Sequence, residues 1–246
     1  MPNAANISAR SHGELIHITG ISSMATRQVL AELTSTFTQR SGHTIAIESV
    51  GGVDAAKRVQ AGESFDVVIL ASDAIDKLIL AGAIVRGSRV DLVRSGVAVA
   101  VRAGDPSPDI ASGEAVKRAV LSAKSISYST GPSGVALAKL FERWGIAEDI
   151  KSRMVQAPPG VPVGTLVASG EVALGFQQLS ELLHVKGITI VGSLPDDIQI
   201  TTIFSAGLPM RQNADLARVA AVTSMLDYMT SIEANSAKRR QGMEPC

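Results

Sequence analysis

The sequence of 246 residues predicts an α/β protein with two lobes, built from mixed, mostly parallel sheets that are flanked by helices. Short apolar runs typical of strands alternate along the chain with amphipathic stretches typical of helices. Two further apolar segments, at 92–101 and 198–204, are suited to cross from one lobe to the other. We therefore expect a cleft between the lobes and a hinge near residues 92–96 and 198–204.

Lobe one is predicted from residues 1–94 and 200–246. It begins with three strand–turn–helix units, whose strands are 15–18, 45–47 and 66–70, and the first of these strands is followed by a predicted turn at 19–23. The third strand is continuously apolar, as expected for a strand buried on both faces of a parallel sheet. A helix at 214–230 completes the lobe, and the basic tail beyond Asn235 is expected to fray.

Lobe two is predicted from residues 95–199, with the same alternation of strands and helices. Its predicted helices are 112–121, 135–144 and 163–168, and its predicted strands are 125–128, 172–176 and 188–191. A polar turn at 129–134 joins the first of these strands to a helix.

The composition excludes several classes of function. There are 23 basic and 23 acidic residues and only 3% aromatic residues, which argues against a nucleic-acid partner. Cys246 is the only cysteine, and the four histidines show no metal-ligand spacing, so we expect neither a metal nor a cofactor. We expect a monomer.

The sequence gives two possibilities for the compartment. Residues 1–13 are polar and contain no apolar segment of a secretory signal, and no apolar run approaches about 20 residues. The protein is expected in the periplasm if a signal was removed or the start was misassigned, and in the cytoplasm otherwise.

Serines and glycines gather where predicted strands end and helices begin. In an open α/β sheet, ligands bind outside the carboxyl ends of the strands. Helix N-termini offer unpaired N–H groups there, so hydroxyl and N–H donors together can hold an anion without lysine. The predicted ligand-binding residues of these turns are Ser22, Ser23, Met24, Ser49, Gly51, Gly52, Ser72, Ser129, Gly131, Ser133 and Gly134. The alternative for each is an ordinary capping or turn residue.

Two further residues are candidate ligand contacts. Arg94 interrupts an apolar strand, and a buried arginine needs an anion, so it is predicted to hold a ligand carboxylate. The alternatives are a salt bridge, for example to Asp66 or Asp91, and simple exposure at a strand edge. Gln177, at a strand end beside Gln178, is predicted to supply an amide contact, and solvent exposure is the alternative.

The catalytic residues cannot be assigned from the sequence. No nucleophile elbow, zinc-protease motif or phosphate-binding loop occurs. If the protein is an enzyme, Tyr128, a serine or a carboxylate such as Asp73 could act as the base.

The ordered series of turns resembles the molybdate-binding-protein-like branch of the type II periplasmic binding fold, from about Ile16 to Met229. The matching segments are Ser22-Ser23, Ser49 with Gly51-Gly52, 65–69 leading to Ser72, 94–99, 128–134 and 174–178. The resemblance implies a solute-binding protein that captures a small anion for an ABC importer. It also implies oxyanion contacts from the first two serine turns and from a tyrosine of lobe two.

Two departures from the molybdate binders change the expected ligand. The residues after Leu174-Gly175 are Phe176-Gln177-Gln178, so the tyrosine is missing, and Arg94 would add a charge that a neutral oxyanion site does not need. Both departures favour an organic di- or tricarboxylate over molybdate. The wider family is understood to include isomerases such as aconitate isomerase, which implies the alternative that this chain isomerises a polycarboxylate.

Overall fold

The computed structural model describes residues 15–158, 160–211 and 215–246. The strands are β1 (His17–Ser23), β2 (Thr44–Val50), β3 (Val67–Ala71), β4 (Val90–Arg102), β5 (Ile126–Tyr128), β6 (Met154–Gln156), β7 (Leu174–Gln178), β8 (Ile188–Ser193), β9 (Thr201–Gly207) and β10 (Glu244–Pro245). The α-helices are α1 (Arg27–Ser41), α2 (Gly52–Gln60), α3 (Ser72–Leu80), α4 (Gly113–Ser122), α5 (Pro132–Arg143), α6 (Ala147–Ile150), α7 (Val163–Ser169), α8 (Leu179–Leu182), α9 (Leu216–Thr230) and α10 (Asn235–Arg240).

Each lobe contains a group of three parallel strands, and antiparallel strands join the two groups. The strand order is β2-β1-β3-β9-β4-β7-β5-β6. Strand β4 pairs with β9 as far as Gly96 and with β7 and β8 from Val97 onward. Strand β4 thus changes partners between Gly96 and Val97, close to the predicted boundary at residues 94 and 95. The boundary itself and hinge motion at that place stay predictions.

The sheet of lobe one has a hydrophobic core on each face. Side chains of β3 alternate between the two cores: Val67 and Ile69 pack with α1 and α9, and Val68 and Leu70 pack with α2 and α3. All five residues of β3 are buried. This confirms the prediction of a strand that is buried on both faces.

Lobe two is built around its own core, which includes Val99, Phe141 and Phe176. The rings of Phe141 and Phe176 meet edge to face with centroids 6.1 Å apart. Because the two lobes have separate cores, the space between them is free to form a cleft.

Two parts of the chain differ from the prediction. The segment 19–23, predicted as a turn, belongs to β1, because its backbone pairs with β2 on one side and β3 on the other. The tail does not fray: Ala237 and Met243 are buried against lobe one, and β10 pairs with β4. The predicted helix start at Ala214 lies outside the described residues, and Asp215 caps α9 through the N–H groups of Ala217 and Arg218.

None of the helices in the described ranges is long and apolar enough to cross a membrane.

Candidate functional site

A cleft of about 510 Å³ lies between the lobes at the carboxyl ends of the parallel strands. Its lining includes eight of the predicted ligand-binding residues, which are Ser23, Met24, Gly51, Gly52, Ser129, Gly131, Ser133 and Gln177. Thr202 and Phe204 of β9 line it where the lobes meet.

The end of β1 presents one serine to the cleft and turns its neighbour away. Ser23 lines the cleft, is 7% exposed, and its Oγ has no hydrogen-bond partner within the described ranges. Ser22 is fully buried, and its Oγ lies 2.8 Å from the Oγ of Ser49. Successive side chains of a strand point to opposite faces, which explains the difference. Ser22 and Ser49 thus bond to each other beside the lining.

The N-terminus of α2 supplies backbone donors from lobe one. Gly51 is its N-cap, and no side chain caps this end. The first N–H groups of a helix have no acceptor inside the helix, so those of Gly52 and Val53 are free for an anion. Asp54, also in the lining, is a competing carboxylate, whereas Lys57 one turn further along provides a positive charge at the same wall.

The turn before α5 supplies donors from lobe two. Gly131 is the N-cap, Pro132 occupies the first turn, and the Oγ atoms of Ser129 and Ser133 lie 3.4 Å apart. Gly134 is buried behind this turn: a Cβ atom added there would lie 1.8 Å from the carbonyl oxygen of Ser129. Gly134 is therefore needed for packing of the turn, and the candidate ligand donors of this turn are the lining residues Ser129, Gly131 and Ser133.

Two buried glutamine amides form the floor of the cleft in lobe two. Gln177 and Gln178 are each 3% exposed, so the alternative of solvent exposure is wrong. The Oε1 of Gln177 accepts the N–H of Gly164 at 3.2 Å, and the Nε2 of Gln178 donates to the Oγ1 of Thr202 at 2.8 Å. The Oε1 of Gln178 has no partner in the described part of the chain and is available to a ligand hydroxyl or protonated carboxyl.

Glu181, which the sequence reading missed, also lines the cleft. Burial raises the pKa of its carboxyl to about 7, and a hydrogen bond from the Gln177 side chain offsets part of that rise. The sequence does place Glu181 in a segment directly after the strand that ends at Gln178, where a helix can begin at the cleft edge of the sheet. Burial of its carboxyl depends on the surrounding fold, so it could not be predicted from the local sequence.

Arg94 lies outside the lining. It is exposed, and its backbone pairs with Ile203, which is itself 36% exposed, and with Glu244. The premise that Arg94 is buried is wrong, because this face of the sheet is open to solvent where β4 crosses between lobes.

The acids considered as partners of Arg94 pair with other arginines. Asp66 is held by Arg211 and Arg218, and Asp91 is held by Arg89. Arg94 therefore corresponds to the alternative of simple exposure, and this geometry does not support it as a ligand contact.

Ser72 is the first residue of α3 and is half-buried, yet it is not part of the lining, although Ala71 and Asp73 on either side of it are. Within the described ranges, no group of three or more His, Cys, Asp or Glu side chains could hold a metal ion.

Comparison with known proteins identifies relatives in sequence and in structure. The sequence profile of the bacterial extracellular solute-binding protein family matches residues 18–244. Aconitate isomerase from a Pseudomonas species is 41% identical over 192 residues, which are 76% of this chain and 70% of that protein.

Solved structures confirm the predicted type II fold. The periplasmic molybdate-binding protein of Azotobacter vinelandii is 20% identical with a TM-score of 0.73, over 92% of this chain and 98% of that chain. The sulfate-binding protein of Mycobacterium tuberculosis H37Rv is 14% identical with a TM-score of 0.73, over 94% and 87%. The tungstate ABC transporter protein of Geobacter sulfurreducens is 16% identical with a TM-score of 0.70, over 90% and 97%.

Proposed function

Because this chain belongs to the family of bacterial extracellular solute-binding proteins, we propose that it binds a small polycarboxylate anion in the cleft between its lobes. The observation that carries the proposal is that residues with hydroxyl and free N–H groups line one cleft from both lobes: Ser23 and the α2 N-terminus on one side, Ser129 and Ser133 on the other. Oriented hydroxyl and N–H groups bind anions without requiring a buried cation.

The chemistry of the walls favours a carboxylate over a tetrahedral metal oxyanion. The unpartnered acceptor on Gln178 can accept only from a ligand with an O–H group, which an organic acid supplies as a hydroxyl or as a carboxyl that stays protonated beside this oxygen, whereas ionised molybdate and sulfate have none. Lys57 lines the cleft on the side of α2 and can neutralise one of several negative charges. The relative at 41% identity is named for a tricarboxylate, whereas the three oxyanion-binding structures are at most 20% identical.

A ligand screen by thermal unfolding tests this proposal. A ligand present at 100 times its Kd stabilises the folded state by about 2.7 kcal/mol, which corresponds to roughly 5 to 10 °C for a protein of this size. We expect this shift with cis- or trans-aconitate, or with another di- or tricarboxylate, and none with molybdate, tungstate or sulfate. A shift with molybdate alone would overturn the proposal.

Ser23→Ala is expected to weaken ligand binding without weakening the fold. The hydroxyl of Ser23 has no partner within the described part of the chain, so its removal leaves no unsatisfied group behind. A hydrogen bond to a charged ligand contributes about 1.5 to 3 kcal/mol, so we expect a tenfold or greater rise in Kd with an unchanged Tm of the free protein.

Ser72→Ala is the matched control for this experiment. Ser72 lies outside the lining, so its variant should bind with wild-type affinity in a titration by calorimetry. Equal losses of affinity in both variants would show that the lining does not define the site.

A second candidate function, isomerisation of aconitate, is favoured by the 41% identity to aconitate isomerase and by the carboxyl group of Glu181 in the cleft. A protein that only delivers its ligand to an ABC importer, which would place it in the periplasm, leaves the ligand unchanged. Incubation with cis-aconitate, followed by NMR over hours, separates the two functions, and we expect the trans isomer to accumulate.

A further inference from the structure

Glu181 stands where the two lobes meet over the cleft. It lies in α8, and this helix packs against the Met24–Thr26 turn of lobe one as well as against β4 and β7. The adjoining His184 places its Nε2 2.7 Å from the Oε1 of Gln241, at the C-terminal end of the chain. Contacts from both lobes thus fix the helix that carries this carboxyl group.

The amide of Gln177 is oriented by a backbone hydrogen bond. The N–H of Gly164 donates to the Oε1 of Gln177 at 3.2 Å, which leaves the amide N–H groups of Gln177 as neutral donors on the side of Glu181. None of the ion pairs within the described ranges includes Glu181. The Glu181 carboxyl therefore has a neutral amide as its neighbour, and no cation in the described ranges pairs with it to favour its ionised form.

We propose that Glu181 is the catalytic base of aconitate isomerisation in this cleft, a role that rests on the isomerase function proposed above. Its carboxylate removes a proton from the methylene carbon of the substrate, and the electron pair of that C–H bond forms the new double bond. The old double bond opens toward the vinylic carbon, which takes a proton back from the Glu181 carboxyl, and that carboxyl can exchange its proton with water before the return. No proton, electron or co-reactant is gained or lost, and the product carries its double bond on the other arm.

The surroundings of Glu181 suit both halves of this proton transfer. A carboxyl group with a pKa near 7 is partly ionised at neutral pH, so it can accept a proton and return it. The intermediate spreads its negative charge over the substrate carboxylates. Ser23 and the α2 N-terminus, on the other lobe, are placed to stabilise such charge.

The bases considered from the sequence are less well placed. Tyr128 is not part of the cleft lining. Asp73 is in the lining, but it is exposed and its Oδ2 lies 3.5 Å from the Nζ of Lys77. Asp73 is thus open to water and engaged by an ammonium group, whereas Glu181 takes part in none of the ion pairs within the described ranges.

Few ionisable groups can influence Glu181. Those in the same cleft lie across it, on α2 and α3: Asp54, Lys57, Asp73 and Lys77. Of the elements most closely packed on α8 in the described ranges, β4 carries the ionisable side chains Asp91, Arg94 and Arg102, all outside the lining. His184, just beyond the end of α8, is a further ionisable group, and its ring bonds to Gln241. We therefore expect kcat/KM to rise with pH through one apparent pKa near 7, since the base must be ionised to act.

The test compares Glu181→Gln with the wild-type protein and with Glu171→Gln, a matched change at an exposed glutamate of the same lobe outside the lining. Loss of a general base lowers the rate about 10²- to 10⁴-fold, so we expect that fall in kcat and in deuterium uptake from D₂O. Binding of aconitate should change less than about threefold, which is the range for a group that acts mainly in the transition state. Glu171→Gln should keep wild-type kinetics.

Unfolding of Glu181→Gln gives a readout that does not depend on activity. A carboxyl group whose pKa is raised in the folded state loses its contribution to stability as the pH rises from its ordinary value of 4.5 to about 7. Glutamine is neutral throughout, so the Tm of Glu181→Gln relative to wild type should rise between pH 5 and pH 8. A constant difference would contradict the burial on which the proposal depends.

The outcomes separate this proposal from the one before it. Wild-type protein that binds aconitate and never converts it overturns the isomerase function, and the role of Glu181 with it. An active wild type with a Glu181→Gln variant that keeps a tenth or more of its activity overturns only the role of Glu181. Loss of binding in step with loss of rate would make Glu181 a ligand contact and also overturn its role as the base.

Discussion

Asp66→Ala is expected to lower the free energy of unfolding by about 3 kcal/mol, the lower end of the range for breaking a buried ion pair. The Asp66 side chain is 2% exposed, and its two oxygens lie 2.8 Å from Arg211 and 3.0 Å from Arg218. It also accepts the N–H of Thr19 at 2.7 Å. One carboxylate thus connects β1, the start of β3 and the first turn of α9.

The lower end of the range applies because the two arginines are not fully buried. Their side chains are 32% and 31% exposed, so each guanidinium keeps some hydration after the carboxylate is removed. Urea unfolding followed by circular dichroism should show the loss as a lower midpoint with an unchanged slope. Asp73→Ala removes an exposed carboxylate from an i,i+4 pair and should change stability by less than about 0.5 kcal/mol. Equal midpoints for the two variants would contradict the proposed role of Asp66.

The architecture could be predicted because its signals are local. The apolar run of β3 and the helical face of Val29, Leu30 and Leu33 in α1 are both periodic patterns, and burial in the structure follows them. The tail was predicted wrongly for the opposite reason. Its basic residues are typical of a solvated end, but Ala237 and Met243 pack against lobe one, a contact made across the whole chain.

The position of the cleft could also be predicted, since the carboxyl ends of parallel strands meet at one edge. The choice between adjacent serines could not. The side chains of Ser22 and Ser23 point to opposite faces of the sheet because β1 continues through both residues. An error of one residue in the strand would therefore assign each serine to the wrong face. The predicted turn at 19–23 left that direction undefined.

The burial of charged side chains could not be predicted from the sequence. Arg94 lies in an apolar run yet is exposed, whereas Glu181 follows a strand end, where a polar residue is ordinary, yet burial raises its pKa to about 7. Burial of a side chain depends on what the other segments of the chain cover. A pKa near neutrality is thus a property of the assembled cleft.

Gly134→Ala is expected to damage the fold and the site together. The added Cβ would lie 1.8 Å from the carbonyl oxygen of Ser129 and 2.8 Å from its carbonyl carbon. These are backbone atoms, so no rotamer change can relieve the contact, and the start of α5 must move away from β5. Overpacking of this kind costs about 1 to 3 kcal/mol, and we expect the upper part of that range.

Movement of this turn also displaces ligand donors. Ser129 and Ser133 precede Gly134 in the same turn and line the cleft, and their Oγ atoms are only 3.4 Å apart. Because hydrogen bonds weaken steeply with misalignment, we expect the Kd for the polycarboxylate to rise about tenfold or more. Calorimetric titration and thermal unfolding of the same sample measure the two effects.

Gly131→Ala is the matched control in the same turn. A Cβ atom at Gly131 meets only the Oγ of Ser129, at an ordinary 3.7 Å, and its φ of −77° suits alanine. This variant should lose less than about 1 kcal/mol, the cost of a poorer N-cap. If Gly134→Ala had the same Tm and the same Kd as Gly131→Ala, the start of α5 would be free to shift at no cost. The positions of Ser129 and Ser133 would then depend on ligand binding, and the preformed donor set proposed for lobe two would be wrong.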